Sequence, residues 1–419
     1  KERAVVSDLI IITKTTSSGE VKKRIIVNLK RSGVSAASRK SERVILPRPI
    51  DLVWDALDLL ATAEELDIRD GEVYHLILDF TDAFFQLPLN PKERRFAVFA
   101  YRGKYIVFKR APQGSRGAPL LWGRTCALIA RLGMSLTDLR TTRMNCYVDD
   151  PSILLYGNPR TVKRTVARLV GSWLALGFRM AFAKAVLQGF RGMATWTSAR
   201  YAILHDAVLV QVKPQIVEDL VKQLDTIDAK NKVTEKSLRE FLGRANCICG
   251  LIIIWRPFVD MVWAALLNKD ARGRAGKGKI WTKALRIPFA WFRAFLRSEE
   301  QGMTRQYTLD AYLRRGIKLR ITCDASPWAV GAYLIINDVV VEYLHEPISD
   351  TDASIMNCEI GSCKSQQAFE AFALLLALRT WCSYWRKARM VLTVRSDSVA
   401  ALTMLLKMKS AGSSPAVVA

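Results

Sequence analysis

No apolar run in these 419 residues is long enough to cross a bilayer. The longest, Ile248 to Trp255 with Arg244 and Arg256 close by, falls far short of the roughly 20 residues a spanning helix needs. A membrane role is therefore not expected. Cysteine is sparse as well. Eight thiols over this length lack the density of a disulfide scaffold. Neither Cys247 with Cys249 nor Cys358 with Cys363 has the second pair or the nearby histidine that a zinc site requires, so all eight read as reduced thiols. No signal peptide stands at the start, and the chain opens at Lys1 without Met, which fits a piece of a polyprotein. Acidic residues are short too: 39 Asp and Glu face 63 Lys and Arg, a formal net charge of +24.

What is present points to a folded protein of several domains whose charge attracts polyanions, which a multi-domain enzyme fits. Half the residues are apolar and 24% are charged, the mix of a globular protein and not of a disordered one. The length exceeds what one hydrophobic core supports, so two or three cores in series are expected. A basic excess of this size attracts phosphates, because each contact releases condensed counterions.

Along the chain, Leu9 to Ile12 and Lys22 to Leu29 read as a strand hairpin with a cationic tip. Val73 to Phe80 reads as a strand ending in an acid, and Arg94 to Tyr101 with Lys104 to Arg110 as a hairpin about Arg102-Gly103. A Pro/Gly-rich loop, Ala111 to Pro119, leads into an apolar helix to about Leu132, followed by a hairpin from Asn145 to Tyr156 turning at Asp149-Asp150. Asn158-Pro159 caps a helix whose Val162, Val166, Leu169, Val170 and Trp173 follow the 3.6 period and which stops at Gly177. After Trp196 the pattern is mainly helical to about Arg297, with Ser237 to Ile248 one helix and Lys269 to Lys279 a linker. Strands return at Ile317 to Cys323, Val330 to Ile336 and Val339 to Leu344; a helix Gln366 to Trp385, a strand Met390 to Arg395 and a helix from Ser398 follow. Ser410 to Ala419 is low in complexity and adds little structure.

Asp79 ends one apolar strand, and Asp149-Asp150 sits on a hairpin tip far along the chain. Brought together, such carboxylates suit two hard divalent cations that activate a hydroxyl and steady a leaving pyrophosphate. Taken singly the motifs decide nothing, because Asp is a good turn residue and a good helix cap.

The sequence from Leu78 through Asp79-Phe80-Thr81-Asp82-Ala83-Phe84 to Leu89 resembles motif A of retroviral and LTR-retrotransposon reverse transcriptases. Pro112-Gln113-Gly114 through Pro119 resembles motif B, and Tyr147-Val148-Asp149-Asp150 resembles motif C. The order and spacing are the family's, and the likeness runs from about Arg24 to Asp397. It implies an α/β (α+β) right-hand polymerase with fingers, palm and thumb, followed by a truncated ribonuclease H-like domain. The implied boundaries are 1–200 for fingers and palm, 201–315 for thumb and connection, and 316–419 for the last domain.

The resemblance also assigns roles. Asp79, Asp149 and Asp150 would be the catalytic carboxylates, holding two Mg²⁺ ions (Mn²⁺ a substitute) with the backbone of Phe80. Arg24 would clamp the incoming triphosphate, a task suited to a guanidinium, with Lys22 and Lys23 as auxiliaries or a plain basic turn. Asp82 and Ala83 would face the phosphates. Phe84 would wall off a 2′-hydroxyl, Gln113 would pack against the nucleotide, and Gly114 would permit close backbone approach. Lys184, after Leu176-Gly177-Phe178, would donate a proton to pyrophosphate. Trp196 and Thr197 would form the primer grip, although a tryptophan is as often core. Leu238 to Gly243 resembles the segment after the thumb. Asn28 departs from the family's usual Asp, which weakens the orientation of Arg24.

In the C-terminal part Asp324, Glu370 and Asp397 resemble three of the four carboxylates of ribonuclease H; capping and a solvated face are the bland alternative. No acidic residue follows Asp397 and no histidine follows His345, so the fourth carboxylate is missing and hybrid cleavage is expected to be weak or absent. The expected function is RNA-directed DNA synthesis from dNTPs on a primed RNA or DNA template, with an RNA:DNA hybrid as product. The expected setting is intracellular, cytoplasmic or nuclear or within element particles, beside other Pol segments. The competing readings are a catalytically dead remnant that only binds nucleic acid, and an RNA-dependent RNA polymerase, which bulky Phe84 disfavours.

Overall fold

The computed structural model describes residues 3–408 apart from 16–18, 20, 39–41, 43, 69, 269–274, 277, 298–302 and 388, and describes no side chain at 14, 22 or 387. The tail Ser410 to Ala419, most of the linker Lys269 to Lys279 and the side chain of Lys22 therefore lie outside the described residues. The chain divides into two compact units, Lys1–Thr197 with Ala202–His205, and Ser198–Tyr201 with Asp206–Ala419.

The first unit runs β1 (Val6–Thr15), β2 (Val21–Asn28), α1 (Pro49–Glu65), β3 (Glu72–Ile77), β4 (Val98–Tyr101), β5 (Lys104–Val107), α2 (Ala118–Met134), β6 (Thr142–Tyr147), β7 (Asp150–Gly157), α3 (Pro159–Ala175), β8 (Val186–Gln188) and β9 (Met193–Trp196). One sheet has the order β2-β1-β4-β5 and the other β6-β7-β3-β8. The central strand β7 is buried along almost its whole length, and its Ile153, Leu154 and Leu155 send apolar side chains to both faces of the sheet. Leu76, Ile153 and Leu155 turn one face of that sheet toward Trp122, Ile129, Leu169 and Trp173 of α2 and α3. His75, Ser152 and Leu154 alternate to the other face, and α1 packs on β6 and β7.

Local chemistry sets the helix starts. Asn158 Oδ1 accepts from Thr161 N at 2.9 Å ahead of Pro159 in α3, as the sequence suggests. Asp51 reaches back to the Arg48 N–H at 2.7 Å and closes a capping box at α1. Gly177, with φ 84, follows the end of α3.

Two details differ from the sequence reading. The motif C hairpin pairs Tyr147 with Asp150, so the turn is Val148-Asp149 and not Asp149-Asp150; Val148 takes the left-handed φ of 59. The strand expected from Arg94 starts at Val98, because Arg94–Phe96 closes a 3-10 turn after Asn90-Pro91.

The second unit holds β11 (Ala207–Val212), α4 (Pro214–Asp228), β12 (Lys232–Thr234), α5 (Glu235–Cys249), α6 (Arg256–Leu267), β13 (Lys279–Trp281), α7 (Arg286–Arg297) and β14 (Thr304–Thr308); β10 (Ala199–Ile203) lies where the chain passes between the units. The stretch after Trp196 is thus not purely helical. Val208, Val210 and Val212 are buried at alternate positions of β11, a period-2 pattern of β-branched residues, and Ala207 to Gln211 pair with Thr308 to Thr304 of β14.

Then come β15 (Ile317–Ala325), β16 (Ala329–Ile336), β17 (Val339–Pro347), α8 (Gln366–Thr380), β18 (Met390–Arg395) and α9 (Val399–Lys407), with sheet order β17-β16-β15-β18. Strand β18 runs parallel to β15 and the other pairs are antiparallel. The helix expected from Gln366 to Trp385 is broken at Trp381, whose indole is buried and donates to Glu342 Oε2 at 2.7 Å; a short helix resumes at Cys382.

Candidate active site

Asp79 and Asp149 leave neighbouring strands of one sheet. The pairing of β3 with β7 continues beyond its last registered residues, with Leu78 N–H on the Pro151 carbonyl and Phe80 N–H on the Asp149 carbonyl, both at 3.0 Å. On the other side the Asp79 carbonyl accepts from Ala181 N–H at 2.8 Å. The strand alternation that sends Leu78 and Phe80 into the core thereby turns Asp79 the opposite way. The Phe80 ring is buried among Trp122, Trp173 and Phe178, with centroids 5.1, 5.5 and 6.2 Å away.

Lys184 forms an ion pair with Asp79 from the short turn Phe182–Lys184. That hydrogen bond and the neighbouring charges of Asp79, Asp150 and Asp149 hold its ammonium above the ordinary lysine range. Asp149 is pushed above the usual carboxylate range, first by burial and then by the Asp79 charge, against the pull of Lys184 and Arg24. Arg24, on β2 opposite Ile12, is exposed and near enough to act on Asp149 through its charge. Asn28, on the same strand, is engaged elsewhere: its Oδ1 accepts from Arg31 N at 3.3 Å.

Asp82 takes a left-handed φ of 48 and opens the 3-10 turn Ala83–Gln86, in which Ala83 is buried and Phe84 is half-buried against the core. Gln113 is half-buried, and its carbonyl accepts from Val27 N at 3.0 Å. Gly114, with φ 103, lies so near that a Cβ there would clash with the Val27 carbonyl oxygen. The close approach anticipated at Gly114 is thus to strand β2, and it ties the motif B loop to the strand that carries Arg24. Gly114→Ala is expected to cost about 2 kcal/mol through that contact and the unfavourable φ. A urea midpoint unchanged from wild type would refute the contact.

Trp196 is buried, and its indole donates to the Asp150 carbonyl at 3.0 Å; Thr197 follows with φ 54. The Trp196 side chain is therefore core beneath the hairpin, and Thr197 beside it is half-buried. Trp122 donates likewise to the Val148 carbonyl at 2.7 Å. Gln86, which sequence reasoning did not single out, donates to the carbonyls of Thr81 at 2.6 Å and Arg179 at 3.0 Å and accepts from Arg179 N at 2.8 Å. It fastens the motif A loop to the segment leading to Lys184, and a lone glutamine gives no signal of this. Asn145 on β6 donates to Asp55 of α1 at 2.6 Å, and Arg143 pairs with Asp58; burial is the main cause that holds the Asp55 carboxyl above its ordinary range.

Among the described residues, the acidic side chains whose ligand atoms all come within 4.8 Å of one another are Asp324, Glu370 and Asp397. Asp79, Asp149 and Asp150 do not close to that distance as a group, and Lys184 occupies the Asp79 carboxylate. The C-terminal trio is built by parallel register. Thr322 of β15 pairs with Arg395 of β18, so Asp324 and Asp397 follow at equal offsets. Glu370 comes from α8, is 6% exposed, and accepts from Gln366 at 3.0 Å through Oε1, while Oε2 is buried with no protein partner. Burial, then the charges of Asp397 and Asp324, raise its pKa. A buried carboxylate oxygen left without a donor beside two further carboxylates is a donor set that fits a hard divalent cation.

Residues 11–190 match the family model described as reverse transcriptase (RNA-dependent DNA polymerase). That segment is a reverse transcriptase domain. No curated protein sequence matches the chain. Among solved structures, the dRH form of the foamy viral protease-reverse transcriptase in complex with double-stranded DNA is similar at 14% identity and TM-score 0.49, over 94% of this chain and 60% of that one. The same viral protein in complex with an RNA/DNA hybrid gives 13% and 0.47, over 100% of this chain and 49% of that one. In a further complex with double-stranded DNA it gives 14% and 0.45, over 95% of this chain and 79% of that one. The chain thus spans 60% and 49% of the first two relatives. The reverse transcriptase domain contains Arg24, motifs A, B and C, and Lys184. No helix among the described residues is long and apolar enough to cross a membrane.

Proposed function

We propose that the chain is the polymerase portion of a retroelement Pol protein, an RNA-directed DNA polymerase that extends a primer with dNTPs on an RNA or DNA template. The observation that carries this reading is the joining of Asp79 and Asp149 at adjacent strand ends, with Phe80 N–H on the Asp149 carbonyl and Lys184 and Arg24 facing the same carboxylates. Residues 1–200 serve as fingers and palm, 201–315 as thumb and connection, and 316–419 as a ribonuclease H-like domain. The setting is intracellular.

Asp79, Asp149, Asp150 and the Phe80 carbonyl would hold two Mg²⁺ ions, with Mn²⁺ as substitute. When bound, these cations supply Lewis acidity at the attacking hydroxyl and the departing pyrophosphate. Arg24 grips the triphosphate, the backbone of Asp82 and Ala83 meets its oxygens, and Gln113 packs against the nucleotide. Lys184, protonated through its contact with Asp79, releases that contact and gives its proton to pyrophosphate. Thr197 and the backbone around Trp196 steady the primer.

Phe84 closes the space beneath the sugar. Phe84→Val is expected to raise the use of NTP relative to dNTP about a hundredfold, read as the ratio of kcat/KM values for the two. An unchanged ratio would place the sugar elsewhere.

The convergent Asp324, Glu370 and Asp397 make the C-terminal unit the place to look for cleavage of the RNA of a hybrid, which is scored in the same assay. The decisive experiment is Mg²⁺-dependent extension of a DNA primer on an RNA template by this chain. Salt-sensitive hybrid binding with no extension would instead mark a remnant that keeps only its basic surface.

A further inference from the structure

Two thiols lie back to back behind the motif C turn. Cys126 of α2 is buried, Cys146 of β6 is half-buried, and their sulfurs stand 2.9 Å apart. Each belongs to an element the polymerase reading depends on. Helix α2 continues the motif B loop, and Cys146 precedes Val148-Asp149 on the hairpin. Cys146 also donates to the Val148 carbonyl at 3.5 Å, the same oxygen that the Trp122 indole holds. Both cysteines line one hollow of about 430 Å³, open between Val44 to Pro47, α2 and β6. The hollow is large enough to admit a molecule the size of a peroxide beside the half-buried Cys146. None of the other cysteines enters the arrangement described for the polymerase or hybrid-cleaving sites, apart from Cys323 beside Asp324.

We infer that Cys126 and Cys146 are a redox-sensitive latch, closed by peroxide to a disulfide that fixes the motif B helix to the motif C strand. The sulfurs need to approach by about 0.9 Å to reach disulfide distance, a shift within the give of two side chains. The more accessible Cys146 sulfur attacks the peroxide O–O bond and becomes a sulfenic acid, releasing water. Cys126 then displaces the sulfenic hydroxyl as a second water. In sum two thiols lose two electrons and two protons, and one H₂O₂ is reduced to two H₂O. Closure removes the S–H donor from the Val148 carbonyl and denies β6 any movement against α2. The hydrogen bond shared with Cys126, together with burial, keeps the Cys146 thiol above its ordinary range. Cys146 is therefore slow to oxidise until oxidant accumulates.

The latch is a regulation of the proposed polymerase, so its effect on extension rests on that reading, while its formation does not. The purified chain would be treated with hydrogen peroxide, alkylated, digested without reductant and analysed by mass spectrometry. Thermal unfolding and primer extension would be followed before and after dithiothreitol. Expected are a linked peptide joining Cys126 to Cys146, a rise of about 5 °C in the unfolding midpoint, and extension slowed about fivefold and restored by reductant. Cys146→Ser should lose all three responses, and Cys126→Ser serves if that variant fails to fold. Full alkylation of both cysteines after peroxide, or their conversion to sulfonic acids without a link, overturns the latch. Absence of extension in the reduced protein overturns the polymerase reading instead, and the linked peptide still decides the latch.

Discussion

Asp149→Asn is expected to lower the proposed primer extension about a thousandfold, the equivalent of roughly 4 kcal/mol at the transition state. The substitution keeps the shape and the backbone hydrogen bond to Phe80 and removes only the charge. That charge is the group burial and Asp79 already disfavour, so the folded protein loses no stability and gains slightly. Hybrid affinity should stay within about twofold, since no basic residue is changed. Single-turnover extension and salt-dependent hybrid binding, measured on one preparation, separate the two quantities. Extension within tenfold of wild type would remove Asp149 from the chemistry.

The second large effect is on stability and comes from His75. Its ring is buried on β3, with Nε2 2.8 Å from Ser152 Oγ, and burial alone lowers its pKa from 6.5 to about 4. The unfolded chain therefore binds a proton between pH 6.5 and 4 that the folded chain refuses. Stability is whole above pH 6.5, falls through that window and levels below pH 4. The shift corresponds to about 3 kcal/mol. Urea midpoints at pH 7.5, 5.5 and 4.5, compared between wild type and His75→Gln, isolate this share from that of the carboxylates. Equal pH slopes in the two proteins would show that His75 is not the cause.

Much of the first unit was legible because its signals are local. Asn158-Pro159, Gly177 and the apolar positions of α3 each act within one turn of chain, and the three motifs lie on contiguous segments. The turn at Val148-Asp149 was misplaced by one residue because Asp favours turns by composition, whereas a valine at φ 59 is held there by tertiary hydrogen bonds that no local pattern reveals. Gln86, the Asn145–Asp55 pair and the Cys126–Cys146 contact were invisible for the same reason, since each joins elements distant in sequence. Strands β11 and β14 were missed although Val208, Val210 and Val212 alternate plainly, because the helical period of α4 and α5 dominated the wider window. Asp324, Glu370 and Asp397 were legible as a trio through motif likeness. Their convergence comes from the parallel register of β15 and β18 and from one turn of α8, which sequence alone does not fix.

The two indoles beneath the hairpin give the protein its own optical gauge. Trp122 and Trp196 donate to the carbonyls on either side of Asp149, those of Val148 and Asp150. Any displacement of the tip, whether by a cation, a nucleotide or a closed latch, alters the polarity felt by two fluorophores at once. Against the nine other tryptophans of the chain, their share of the emission is read by difference with Trp122→Phe and Trp196→Phe, and it follows the motif C turn with no label attached.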